Sequence, residues 1–543
     1  MIYLDIETDG LDPSRIWCAV TRQNGTNEVH TSPETLSEAL RGSQSVVGHN
    51  LIGYDVPVLE RLWRLSVEPE RIVDTLVLSR LVEPNREGGH SLRNWGKDLG
   101  FPKGDHSDWS TLSTEMVEYC ERDVEVTEAV HRKLTSELTC FSEEAADLEH
   151  KVQLIIHQQE RNGWLLDQDL ARNLCATFKE RMNEIEAELQ EKFKPIVHER
   201  YSEKTGKRLK DRIEVFNVGS RRQIARRLTE LGATFTKVTE KGTPIVDEAV
   251  LNGIDLPEAR AVSEYLMLQK RYAQVNSWLE HLGPDGRVHG RVISLGTVTG
   301  RMTHRDPNVA QVPANHSPYG QECRACWTVP AGKKLVGFDA SGLELRMLAH
   351  YMNDQEFTNV LLTDDVHTRN QLAAGLETRP QAKTFIYAFL YGAGDSKIGD
   401  IVGGSPADGA QLKERFLRNT PALGSLRERV AKAAGRGYLK GLDGRRLFVR
   451  SEHAALNTLL QAAGAIVMKK ALVILDDHAK QWNLSYKFVG NIHDEVQTEV
   501  SEAHADKFGW LAVESLKAAG LAYDLRCPLD GEYQVGNTWA ETH

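Results

Sequence analysis

The sequence predicts an α+β multidomain chain, and three observations carry that expectation. Its 543 residues, 41% hydrophobic and 26% charged, suffice for roughly three or four domains with well-buried cores. Apolar runs of strand length lead into acidic residues after Ile2, Lys334 and Tyr486. Between them lie long stretches, notably Glu144 to Phe193 and Ala259 to Leu279, whose apolar residues recur at helical spacing.

The first run, Ile2 to Ile6, reads as a buried strand whose period of two sets Asp5 and Glu7 on one face at its end. Asp-x-Glu alone is weak evidence in a chain with 77 acidic residues. Two later elements strengthen it. His49-Asn50-Leu51-Ile52-Gly53-Tyr54-Asp55 follows the apolar Val46-Val47, and Tyr119 to Asp123 has the i, i+4 spacing that places both residues on one helical face. Asp5, Glu7, Asp55 and Asp123 are therefore expected to converge on two metals. That arrangement suits phosphodiester hydrolysis, with Tyr119 orienting the attacking water.

Beyond the helical stretch that opens at Glu144, Arg161-Asn162-Gly163-Trp164 reads as a turn. From Arg200 to Arg227, ten basic residues against three acidic ones give +7, in a chain whose overall charge is -11. Such a segment can lie along a phosphate backbone and release counterions; a solvated loop is the plainer alternative. Paired helices ending in basic residues would make an arm over duplex DNA. Asn217, Ser220 and Gln223 offer donors, or simple caps, at a helix start.

Lys334 to Phe338 reads as a core strand ending at Asp339, and Tyr486 to Ile492 as a strand leading through a tight turn at His493-Asp494-Glu495 into another strand. Asp494 is expected to face Asp339, with the Ala340 carbonyl completing magnesium coordination. Thr378 is an expected N-cap with Pro380 in the first turn, after which Arg379, Lys383, Tyr387 and Tyr391 recur at i+4 on one slowly drifting face. Cations on that face suit phosphates, and tyrosines suit a base and sugar. Lys383 would protonate pyrophosphate, and His367 would reach the outer phosphates. Together these residues point to nucleotidyl transfer onto a nucleic acid end.

The seven cysteines, Cys18, Cys120, Cys140, Cys175, Cys323, Cys326 and Cys527, are odd in number and scattered, which fits reduced thiols; Cys323-x-x-Cys326 lacks a partner pair for zinc. No targeting segment is expected, no stretch is expected to span a bilayer, and no membrane partner is expected.

Residues 1–140 resemble the DEDD-type 3′→5′ exonucleases of the tyrosine subgroup through those three motifs. Asp339-Ala340-Ser341-Gly342-Leu343-Glu344-Leu345-Arg346, the run Lys383 to Gly394, and Leu456-Asn457-Thr458-Leu459-Leu460-Gln461 resemble the family A DNA polymerases. The resemblance is closest to replicative polymerases of short-tailed, podovirus-type bacteriophages related to a thioredoxin-dependent coliphage enzyme. It implies an RNase H-like α/β exonuclease domain in 1–140 and a right-hand polymerase beyond it. The helical connector and thumb would span 141–290, the first part of the palm 291–350, the fingers 351–440 and the second part of the palm 441–543.

The resemblance further implies template-directed DNA synthesis with 3′→5′ proofreading, acting on primer-template DNA and dNTPs. Each active site would use two Mg2+, which Mn2+ can replace. Glu344 with Tyr387 would exclude the ribose 2′-hydroxyl, and Tyr387 implies ready acceptance of dideoxynucleotides. Arg301, Gln461 and His493 would read the minor groove, with Asn308 and Gln311 also touching DNA. Phage helicase, primase and single-stranded DNA-binding protein are the expected partners, in the cytoplasm of an infected bacterial host. The related enzyme carries a large thumb insertion, whereas Phe193 runs to Phe216 here through a short basic loop, so thioredoxin is not expected to bind. Other readings stay open at this level: an exonuclease with an inactive polymerase half, a single-subunit RNA polymerase, or a noncatalytic DNA-binding scaffold.

Overall fold

A computed structural model describes residues 1–138 and 143–543; Cys140 and the expected domain boundary at 140/141 lie outside the described residues. The first strand, Ile2–Thr8, is the centre of a five-stranded sheet ordered Thr26–His30, Ile16–Gln23, Ile2–Thr8, Val46–Gly48, Ile72–Asp74. It pairs antiparallel with Ile16–Gln23 and parallel with Val46–Gly48. Ile2, Leu4 and Ile6 enter one apolar core while Tyr3 enters another with Cys18 and Cys120, so both faces are covered. That explains the nearly continuous apolar run where a one-sided strand would alternate. The helix Thr114–Leu138 covers the second face.

The second large sheet is antiparallel throughout, ordered Tyr486–Ile492, Glu495–Ser501, Lys333–Ala340, Gly531–Gly536. Its pleat divides two cores: Val336, Phe338 and Ala340 pack with the helices Ala455–Gln481 and Ala505–Ala522, whereas Leu335 packs with Trp164, Trp327 and Trp539. Gly337 fits a close approach, because a Cβ there would sit 2.3 Å from the Thr542 carbonyl oxygen.

Glu452–Gln481 corrects one expectation, since it contains an 18-residue window of mean hydropathy 1.6, long and apolar enough to cross a bilayer. Its most apolar window is 78% buried within the protein, which accounts for that composition as a core helix. The six cysteines among the described residues are free thiols, with Cys323 and Cys326 buried in the tryptophan-rich core.

Helices Glu143–Asn162 and Gln168–Lys192 flank a shorter interruption than the sequence suggests. Arg161 and Asn162 stay helical, Gly163 turns at φ +58°, and Trp164 already begins the strand Trp164–Leu166. Gln168–Lys192 packs against Pro257–Glu280. The basic segment is no loop: Ile196–Tyr201 and Arg208–Glu214 form an antiparallel ribbon, largely exposed. Phe193 and Phe216, edge to face at 4.8 Å, close its base.

Candidate active sites

The strand Ile2–Thr8 and the helix Thr114–Leu138 bring two of the N-terminal acids together with a cysteine. Asp5, Glu7 and Cys120 present ligand atoms all within 4.8 Å of one another. Asp55 is 4% exposed and accepts the Ile6 N–H at 3.2 Å; Asp123 is 2% exposed, with Oδ1 unpartnered among the described residues. Burial and the mutual repulsion of these acids push Asp5 up to about 8 and Glu7 to about 10, and hold Asp55 well above the carboxylate range. Burial alone would raise Asp123 further than about 6; the Lys103 ammonium restrains it. So much negative potential, only partly offset by Lys103, with a buried unpartnered carboxylate oxygen, fits a divalent-cation site. Tyr119 stands beside it, packed edge-on against Trp109 at 5.7 Å.

Two participants here escaped the sequence reading. Cys120 gave no signal beyond its place between Tyr119 and Asp123, and Lys103 comes from an irregular segment with no motif to mark it. Lys103 ion-pairs Asp123 Oδ2, and its Nζ stands 4.5 Å from the Tyr119 ring centroid.

In the central sheet, the turn at His493-Asp494 is tight enough to require φ +58° at His493. It brings Asp494 beside the end of the neighbouring strand: Asp339 pairs in register with Glu495, and the Ala340 N–H donates to the Asp494 carbonyl at 3.1 Å. Burial, then the negative charges of Asp494 and Glu495, push Asp339 up to about 7, and burial raises Asp494 as well. Two half-buried acids at a rigid sheet end again fit cation binding. Glu495 is itself fixed, accepting hydrogen bonds from Trp539 Nε1 and from Gln497 Nε2.

The Arg379–Leu390 helix opens with the expected Thr378 cap, completed by Gln381 as a capping box. Tyr391 lies just past its last turn, so the ladder ends on the C-cap. Lys383 is exposed and makes no hydrogen bond or ion pair among the described residues, whereas Arg379 is held by Asp365 at 2.5 and 3.1 Å. Tyr387 lies between His367 and Tyr391, with ring centroids 6.2 and 6.4 Å away. Glu344 contacts Tyr391 and Arg301, not Tyr387, through hydrogen bonds of 2.8 and 3.0 Å. Asn308 and Gln311 are exposed around a short 3-10 turn, and Gln461 is half-buried on the long core helix.

Beside Gly300, where a Cβ would lie 3.1 Å from Arg445 Nη1, is a buried charge network that the sequence did not disclose. Lys469 Nζ donates to both oxygens of Glu149 at 2.8 and 2.7 Å, Arg445 reaches Glu149 at 2.7 Å, and Asp443 accepts from Arg445 at 2.6 Å. The helix carrying Glu149 also places Gln159 on Asn491, two residues before His493, at 2.6 Å.

The profile of DNA polymerase family A matches residues 179–541. The DNA-directed DNA polymerase of Enterobacteria phage T3 is 34% identical over 704 aligned positions, covering 100% of both chains. That of Escherichia phage T7 is 35% identical over 705 positions, again covering 100% of both. Against 543 residues here, such alignments mean that both relatives carry insertions absent from this chain. A solved structure, the POL domain of Pol1 from M. smegmatis in complex with DNA primer-template and dNTP, superposes with a TM-score of 0.82 at 20% identity, covering 100% of this chain and 96% of the other. The fold is therefore the α+β multidomain architecture that the sequence predicts.

Proposed function

Because the chain belongs to DNA polymerase family A, we propose that it is a template-directed DNA polymerase with a 3′→5′ proofreading exonuclease, replicating phage DNA. The observation that carries the reading is the Asp494 turn set against Asp339 at one sheet end, with the unpaired Lys383 on a neighbouring helix face. Asp339, Asp494 and the Ala340 carbonyl would hold the cations of synthesis, and Asp5, Glu7, Asp55 and Asp123 those of proofreading. When bound, Mg2+ or Mn2+ at these sites would lower the pKa of the attacking oxygen and stabilise the leaving one.

The residues themselves supply the rest. In synthesis the primer 3′-hydroxyl loses its proton to solvent as its oxygen attacks the α-phosphorus, the bond from that phosphorus to the bridging oxygen of the β-phosphate breaks, and Lys383 donates a proton to departing pyrophosphate. Arg379 and His367 hold the outer phosphates, so Arg379 exchanges Asp365 for them. Tyr387 and Tyr391 stack near the base and sugar, and Glu344 excludes a 2′-hydroxyl. Arg301, Gln461 and His493 contact minor-groove acceptors shared by all correct pairs, with Asn308 and Gln311 on the DNA nearby. In proofreading Tyr119 orients the water.

On this reading residues 1–140 are the exonuclease domain, 141–290 the connector and thumb, 291–350 and 441–543 the palm, and 351–440 the fingers. The enzyme works in the cytoplasm of an infected bacterium with the phage helicase, primase and single-stranded DNA-binding protein. The short span between Phe193 and Phe216 supports a thumb that functions without thioredoxin.

Extension of a labelled primer on a DNA template tests the proposal in wild type, Asp494→Ala and the double variant Asp5→Ala with Glu7→Ala. Extension in wild type and the double variant, lost in Asp494→Ala while primer shortening persists, is the expected pattern. Shortening without extension in every variant would leave only a nuclease.

A further inference from the structure

The N-terminal site holds a cation that its carboxylate motifs do not explain. Lys103 lies in the irregular stretch between the helices Leu92–Asp98 and Thr114–Leu138, yet that stretch is firmly anchored. The Arg122 guanidinium lies 3.5 Å over the Phe101 ring and donates to the Pro102 carbonyl at 3.0 Å. Arg93 pairs with Asp105 at 2.7 Å, and a Cβ on Gly96 would come within 2.7 Å of the Phe101 carbonyl oxygen. The Lys103 side chain is consequently 18% exposed and directed at Asp123, with Tyr119 beside it.

A bare counter-ion role fits this placement poorly. The ammonium satisfies only one Asp123 oxygen and leaves Oδ1 buried without a partner among the described residues. It also stands among acids that must be free to bind divalent cations, where a fixed positive charge opposes loading. The ligand that repays such a charge is an anion arriving with substrate. A phosphodiester at the 3′ end, lying over Asp5 and Glu7, meets that description.

We propose, on the exonuclease reading above, that Lys103 is a further catalytic residue of the N-terminal site, its ammonium leaving Asp123 to contact a nonbridging oxygen of the scissile phosphate. Water attacks the phosphorus and passes a proton to a site carboxylate. The bond from phosphorus to the sugar 3′-oxygen breaks with its electron pair on that oxygen, which takes a proton from solvent. A nucleoside 5′-monophosphate leaves, and the shortened strand keeps a 3′-hydroxyl. Lys103 contributes by charge, offsetting the extra negative charge on the phosphoryl oxygens as the water adds.

Single-turnover release of the terminal nucleotide from single-stranded DNA, across a magnesium titration, tests this in wild type, Lys103→Met and Lys103→Arg. At saturating magnesium Lys103→Met is expected to be slower by about 10²-fold, the scale of losing one preorganised donor. Lys103→Arg should recover part of the loss, and the circular dichroism spectra of both variants should match wild type, which shows that they fold. Sulfur in place of the contacted nonbridging oxygen should slow wild type more than Lys103→Met. A Lys103→Met rate equal to wild type at saturating magnesium, with only the magnesium requirement shifted, overturns the proposal and leaves Lys103 a counter-ion. Wild-type release that depends on Asp5 but not on Lys103 rejects this inference alone; absence of release from wild type rejects the exonuclease reading and the inference with it.

Discussion

Tyr391 donates its phenolic hydrogen to Glu344 at 2.8 Å, and Arg301 grips the same carboxylate oxygen at 3.0 Å. Glu344 begins a helix after the left-handed Gly342, while Tyr391 caps the helix bearing Lys383, so the bond ties two separate elements at the place assigned to the sugar. Tyr391→Phe is expected to loosen Glu344 and raise ribonucleotide incorporation about tenfold, the equivalent of one charge-assisted hydrogen bond. Glu344→Ala should raise it further. The ratio of kcat/KM for deoxyribonucleotides to that for ribonucleotides reads the effect, and unchanged discrimination in both variants would remove Glu344 as the gate.

The two acidic sites give the metal-free protein a definite pH dependence. Burial first, then neighbouring acids, push Asp339 to about 7 and Asp5 to about 8. An unfolded aspartate releases its proton near pH 4, roughly, so between there and the folded values the native state binds more protons. Stability from these groups is thus present at low pH and lost as pH rises through about 7 to 8. In chelator, the urea midpoint is expected to be lower at about pH 8.5 than at about pH 5.5, and magnesium should restore it at the higher pH. Asp339→Asn and Asp5→Asn should flatten the profile; a midpoint that rises with pH in wild type would contradict the assigned shifts.

The parts of this protein legible in its sequence were those written locally. Runs buried on both faces announced the strands before Asp339 and Asp494, and Thr378 with Pro380 marked a helix start that Gln381 completes. Pairings closed by tertiary folding left no such trace. Glu149 and Lys469 are 320 positions apart, and no spacing rule joins them. Lys103 belongs to no periodic element, so only its anchored loop brings it to Asp123. The basic run was legible as charge but not as a ribbon, because its exposed strands lack the apolar alternation by which strands are recognised.

Glu149 is fully buried between Lys469 and Arg445, accepting hydrogen bonds from the first and pairing with the second at 2.7 Å. Glu149→Ala leaves two buried cations with Asp443 as the remaining close anion, and is expected to cost about 3–5 kcal/mol. Glu149→Gln keeps the shape and some hydrogen bonding, so it should still destabilise, though less. Urea unfolding followed by fluorescence compares the three proteins. A midpoint for Glu149→Ala indistinguishable from wild type would mean that the network contributes nothing to the fold.

The exposed ribbon separates its basic residues by what they already touch. Arg208 pairs with Asp211 at 3.1 Å and with Glu199 at 3.6 Å, whereas Lys207 and Lys210 are exposed and make no ion pair among the described residues. Charge already engaged by a neighbouring carboxylate neutralises less phosphate, so the two lysines should dominate DNA binding by this element. Lys207→Ala with Lys210→Ala is expected to shorten products in single-binding primer extension and to reduce the salt slope by about 0.9 for each phosphate no longer neutralised. Arg208→Ala should change both quantities less. Product length and salt slope that stay at wild-type values in the double lysine variant would show that the ribbon does not hold DNA, and that its charge belongs to a solvated surface.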